Sequence, residues 1–118
     1  VRLSDLPLEK AAVLNSLARC CMKQNRPDDA IAEYRKVLAF EKLKGFGHYN
    51  SACLGIAEIL AARKQYAEAL QEIARIPRPK SGYWAYKPLE AEADILMKMG
   101  KTAEAAQKRG EAEALKKR

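Results

Sequence analysis

The chain has 118 residues and a mass of 13.2 kDa, 48% hydrophobic and 31% charged, the make-up of one folded domain and not of a disordered tail. No apolar run approaches the roughly 20 residues of a bilayer span, and no basic-then-apolar leader opens it, so the expectation is a cytoplasmic chain without membrane contact. The formal charge of +7, +2 over residues 1–59 and +5 over residues 60–118, is interleaved with glutamates, a pattern of solvated helix faces more than of a nucleic-acid footprint.

The first helix is predicted to start at Pro7-Leu8-Glu9-Lys10, with Ser4 or Asp5 near its N-cap. Its apolar or small residues Leu14, Leu17, Ala18 and Cys21 fall at i, i+3, i+4 and i+7, one stripe of an α-helix. A turn follows at Gln24-Asn25-Arg26-Pro27, where proline suits a first helical turn and Asp28-Asp29 suit the positive end of the next helix. That second helix carries Ala30, Tyr34 and Val37 and is predicted to run on through Phe40-Glu41-Lys42-Leu43, stopping at Gly45-Phe46-Gly47. The pattern then restarts with Cys53, Ile56, Ala57 and Leu60, breaks weakly at Arg63-Lys64-Gln65, and continues with Ala69, Ile73 and Ile76. Two prolines in Pro77-Arg78-Pro79-Lys80-Ser81-Gly82 forbid helix continuation. A third stripe, Leu89, Ala93 and Leu96, meets a break at Met99-Gly100-Lys101 before Ala105 and Ala112.

Ala30, Ala69 and Ala105 each follow an acidic residue and stand 39 and 36 residues apart, a period of stacked helical hairpins. The expected fold is all-α: about six helices in three antiparallel pairs, one domain over residues 1–118 with units near 7–44, 48–77 and 83–116. Alanine is needed where two helices cross closely, because a larger side chain there costs roughly 1–3 kcal/mol. Ala18, Ala57 and Ala93 are the candidate facing positions. Arg109 reads as the polar outer face of a terminal unit, while Glu92, at a position the pattern gives to a bulky apolar residue, has no explanation in the sequence.

Leu14-x-x-Leu17-Ala18-x-x-Cys21, Ala30-x-x-x-Tyr34 and Ala69-x-x-x-Ile73 together resemble the tetratricopeptide repeat, with periods longer than its usual 34 and hydrophobics replacing aromatics in its first half. The resemblance covers most of the chain and implies a right-handed solenoid whose concave face is lined by the first helix of each pair. That face is expected to present Asn15, Arg19, Met22 and Lys23, then Ser51, Leu54 and Glu58, then Lys87, Glu90, Asp94 and Met97. Some members of the family clamp a C-terminal carboxylate with Lys, Asn and Arg side chains. Here only Lys87 matches, with Asn15, Arg19, Gly55 and Ala91 at the other places, so such recognition is not expected.

No catalytic constellation is evident, and the reading is of a non-enzyme without cofactor or metal. His48 lacks a partner for general-base work, Gly45-x-Gly47 lacks the strand and the lysine of a phosphate loop, and Glu90, Glu92 and Asp94 cannot converge on a helix. Three cysteines, Cys20, Cys21 and Cys53, make no disulfide framework and read as small, buried, reduced thiols. The aromatic run of Tyr83, Trp84 and Tyr86 beside Arg78, Lys80 and Lys87 is a second candidate contact surface. The leading reading is a module holding a protein or peptide partner in a groove. A helical-repeat nucleic-acid binder using Arg75, Arg78, Lys80, Trp84 and the basic terminus, or a purely structural segment of a larger protein, are the alternatives.

Overall fold

A computed structural model of the chain describes residues 7–117; the N-cap candidates Ser4 and Asp5 lie outside them. Six α-helices stand among the described residues: α1 (Pro7–Lys23), α2 (Pro27–Leu38), α3 (Gly47–Ala62), α4 (Tyr66–Ala74), α5 (Tyr83–Lys98) and α6 (Thr102–Lys116). They pack as the hairpins α1–α2, α3–α4 and α5–α6, with α2 against α3 and α4 against α5 joining the hairpins. The stack measures 49 × 34 × 20 Å.

The turn inside every hairpin uses the same backbone device. Asn25, Lys64 and Gly100, one residue per repeat, sit at φ +60°, +65° and +81°. The following residues Arg26, Gln65 and Lys101 donate backbone N–H bonds of 2.8, 2.8 and 2.9 Å to the carbonyls of Cys21, Leu60 and Leu96. Asn25, Lys64 and Gly100 themselves bond to Met22, Ala61 and Met97 at 3.0 Å each. This paired arrangement satisfies the orphan carbonyls at a helix end and reverses the chain. Asparagine and glycine tolerate the left-handed conformation; Lys64 adopts it at a steric cost.

Ala30, Ala69 and Ala105 are fully buried, and so are Ala18, Ala57 and Ala93. The hairpins therefore close on alanines, as the sequence predicts. Val37, Ile56, Ile73 and Cys53 fill the space between hairpins.

Three expectations need correction. The second helix does not run on: it ends at Leu38, Phe40 leaves helical geometry at φ −82°, ψ 83°, and a single 3-10 turn over Glu41–Leu43 buries Leu43. That detour brings Gly45, at φ +91°, beneath α3, where the fully buried Asn50 donates a 3.1 Å hydrogen bond to its carbonyl. Leu17, expected in the buried stripe of α1, is 47% exposed because no helix packs on that side. Of the thiols only Cys53 is buried; Cys20 is exposed and Cys21 half-buried, and all three are free.

Glu92 acquires an explanation. The Arg78 guanidinium, from the proline-rich linker, lies 2.9 Å from its carboxylate, close but too poorly aligned for a hydrogen bond, and Lys108 approaches from α6 at 4.0 Å. The charge sits where the repeat expects an apolar side chain because two cations flank it. Arg109 is exposed and paired with Asp94 at 3.2 Å, leaving a polar outer face on the third hairpin.

Candidate functional site

An enclosed hollow lies between α3 and α5, over α4, with a volume of about 290 Å³. Its floor is Ala57, Ala61, Ile73, Ala91 and Ile95, and its rim carries Leu54, Glu58, Lys87, Asp94 and Lys98. Small floor residues follow from the fold: the same alanines that let the helices approach leave little side chain to fill the space above them. Charge alternates along the α5 wall as Lys87, Asp94 and Lys98 and faces Glu58 on α3, so an occupant meets an apolar base and both signs of charge at the edge.

Of the residues expected on the concave face, Leu54, Glu58, Lys87 and Asp94 come together here. Glu90 joins Lys87 and Asp94 in an adjoining hollow of about 440 Å³ shared with Arg109 and Glu113, and its carboxylate is engaged by Lys116. Arg19, Met22, Lys23, Ser51 and Met97 are exposed but do not line the hollow. Asn15 is not on the face at all: it is buried between α1 and α3, donating a 3.1 Å hydrogen bond to the His48 carbonyl. That bond ties α1 to the first turn of α3.

Ala57, Ala61, Ile73, Ala91, Ile95 and Lys98 were not foreseen. Lys87, Ala91, Asp94 and Lys98 fall at i, i+4, i+7 and i+11, so the α5 wall was readable as a stripe. Ile73 belongs to a second helix and lay outside any reading that built the groove from first helices alone.

The equivalent place one repeat earlier is filled. Tyr34 of α2 occupies the repeat position of Ile73, and its ring lies over Gly55, the position of Ala91; a Cβ on Gly55 would stand 2.5 Å from the ring carbon Cζ. Burial, above all, raises the Tyr34 pKa, with Arg19 opposing and Glu58 adding to the rise, so the phenol stays neutral between the two charges. The tyrosine closes the α1–α3 side of the groove, at the place where a carboxylate clamp would need a polar side chain on α3.

The aromatic run is largely self-packed. Tyr83 meets Trp84 edge-on at 5.0 Å and Tyr86 at 5.7 Å. Trp84 is half-buried against the core, Tyr86 lies under the Lys116 ammonium at 5.2 Å, and only Tyr83 is widely exposed. Among the basic residues of the nucleic-acid alternative, Arg75 is paired with Glu72 at 3.3 Å and Arg78 with Glu92. Each of these carboxylates is shared with a second cation, Glu72 with Arg35 at 2.8 Å and Glu92 with Lys108 at 4.0 Å.

A family described as tetratricopeptide repeat-like domains matches residues 9–117. The hairpin stack and this match agree, and the chain belongs to that family. Among curated proteins, none matches the chain. No helix among the described residues is long and apolar enough to cross a membrane.

Proposed function

We propose that this tetratricopeptide repeat-like domain is a binding module that holds a short peptide segment in the hollow between α3 and α5. One observation carries the reading: an apolar base of small residues, enclosed by two helices and rimmed by Glu58, Asp94, Lys87 and Lys98. Its volume of about 290 Å³ admits one or two side chains of a peptide, near the lower bound of small-molecule pockets. An apolar anchor would seat against Ala57, Ala91 and Ile95, and the rim charges would select flanking residues of opposite sign at modest energetic gain. The rim arrangement favours a peptide over a nucleic acid, whose phosphates Glu58 and Asp94 would repel. The domain acts as a scaffold and carries out no reaction.

The test is a peptide-display selection on the full chain, followed by calorimetry of the enriched peptides against Leu54→Glu and Lys87→Glu variants. Both positions lie on the rim, and circular dichroism checks the fold of each variant, so a loss of affinity of tenfold or more, roughly 1.4 kcal/mol, with the helical signal retained supports the groove. Enriched peptides that bind both variants with unchanged affinity refute it.

A further inference from the structure

Among the described residues, nothing covers the outer side of α1, away from α2, and that side is apolar. Val13 is 58% and Leu17 47% exposed, and Cys20 is exposed beside them. Two hollows flank the stripe, one of about 410 Å³ at Val13, Leu14 and Phe40 with Glu9 and Lys10 at its edge, and one of about 280 Å³ at Ala12, Val13, Ser16, Leu17 and Cys20. The repeat shows what such a face does. The register that aligns Ala18 with Ala57 and Ala93 places Val13, Leu17 and Cys20 on Ala52, Ile56 and Ile59 of α3, all buried where α2 packs. The same positions on α5 are Pro88, Glu92 and Ile95, beside which α4 packs. Ser16 takes the position of Gly55, which receives the Tyr34 ring, and of Ala91, which faces Ile73. Every copy of this surface keeps a small residue at the centre, and among the described residues the first copy alone has no helix filling it.

We propose that the outer face of α1 is a docking surface for one amphipathic helix, seated as α2 seats on α3. The occupant runs antiparallel to α1, drops a bulky aromatic or branched side chain over Ser16, and places an acidic first turn near the α1 C-terminus. The polarity follows from the existing junction, where Asp28 at the start of α2 pairs with Arg63 at the end of α3, whereas α1 ends in the exposed Lys23. The far end of another copy cannot serve, because α6 carries Arg109 and Glu113 at the positions where α2 carries Tyr34 and Leu38. Face-to-face pairing of two α1 helices would also bring together chains of charge +7.

A synthetic peptide of residues 26–44, the segment containing α2, is the probe. The full chain carries Cys21→Ala, so that Cys20 is the reporter and Cys53 stays buried. With a dissociation constant of roughly 0.1 mM, peptide at about 1 mM slows alkylation of Cys20 about tenfold. The same peptide bearing Tyr34→Ala protects markedly less, and Leu17→Lys in the full chain, a change at an exposed site, abolishes protection. Leu54→Glu in the α3–α5 groove leaves protection unchanged, which separates this surface from the peptide groove. Undiminished alkylation, protection that survives Leu17→Lys, or equal protection by the Tyr34→Ala peptide overturns the proposal. Sedimentation revealing a Leu17-dependent dimer of the full chain overturns it in favour of a second copy.

Discussion

The two junctions between hairpins are built from the same repeat positions and differ in the knob and in the small residue it meets. At α2–α3 the knob is Tyr34, which takes the room left by Gly55 and is itself buried. At α4–α5 the knob is Ile73, set against Ala91, and the space that a ring would occupy remains as the hollow of about 290 Å³. A solenoid with a regular backbone thus acquires a localised pocket by shortening one residue. The lesson is that the groove is set by the second helices as much as by the first.

The comparison is broken most severely by Tyr34→Ala, which opens the filled junction and is expected to cost about 3–4 kcal/mol in urea unfolding, as large-to-small core changes do. Ile73→Tyr sets the same ring against Ala91, whose Cβ stands where Gly55 has none, so it should cost the roughly 1–3 kcal/mol of overpacking; paired with Ala91→Gly the ring is accommodated, and calorimetry finds peptide affinity lost. Gly55→Ala is the sharpest discriminator. Alanine is favoured in a helix over glycine by about 1 kcal/mol, yet the added methyl collides with the Tyr34 ring, and overpacking of roughly 1–3 kcal/mol should leave the variant less stable by about 1 kcal/mol. In a Tyr34→Ala background the same change should become stabilising, and a double-mutant cycle reads the coupling directly. The smallest effect belongs to the turns. Lys64→Gly relieves a left-handed lysine where the third repeat already has Gly100, and should raise the unfolding midpoint by the equivalent of about 0.5–1 kcal/mol.

The filled and open junctions also differ in what high pH does beneath them. Cys53 on α3 is pushed up to about 12, chiefly by burial and secondarily by the Glu72 charge. In the unfolded chain a thiol ionises near 8.5, so the unfolded state releases its proton first as pH rises. The contribution of the neutral thiol is complete below about pH 8.5 and is lost toward pH 12. Denaturant unfolding between pH 8 and 11 should therefore show declining stability, with a shallower decline in Cys53→Ala.

Much of this was legible beforehand. A helical period fixes which residues share a face, and the alanine spacing fixed where hairpins cross, so Ala18, Ala57, Ala93 and their three partners were placed correctly. The period does not say what stands opposite a face. Leu17 has the periodicity of a core residue and the exposure of a surface one, because its partner position is empty. Glu92 depends on Arg78, fourteen residues upstream across two prolines, a pairing no local pattern encodes. Asn15 turned inward for a carbonyl 33 residues away, at His48. Lys98 and Ala91 were readable from α5 alone, while Ile73 required knowing that α4 floors the hollow.

The third hairpin keeps a small apolar cluster of its own, Ala93, Leu96 and Ala105, and contributes a single buried residue, Ile95, to the larger core built mainly by the first two. Such a segment can open as a unit at lower free energy than the rest, so its amides should exchange with solvent ahead of those of α3. Because α5 supplies one wall of the hollow, each opening dismantles the cleft and releases whatever it holds. Residence time there would be governed by fraying of the terminal hairpin, and a ligand bridging both walls would in turn clasp that hairpin shut.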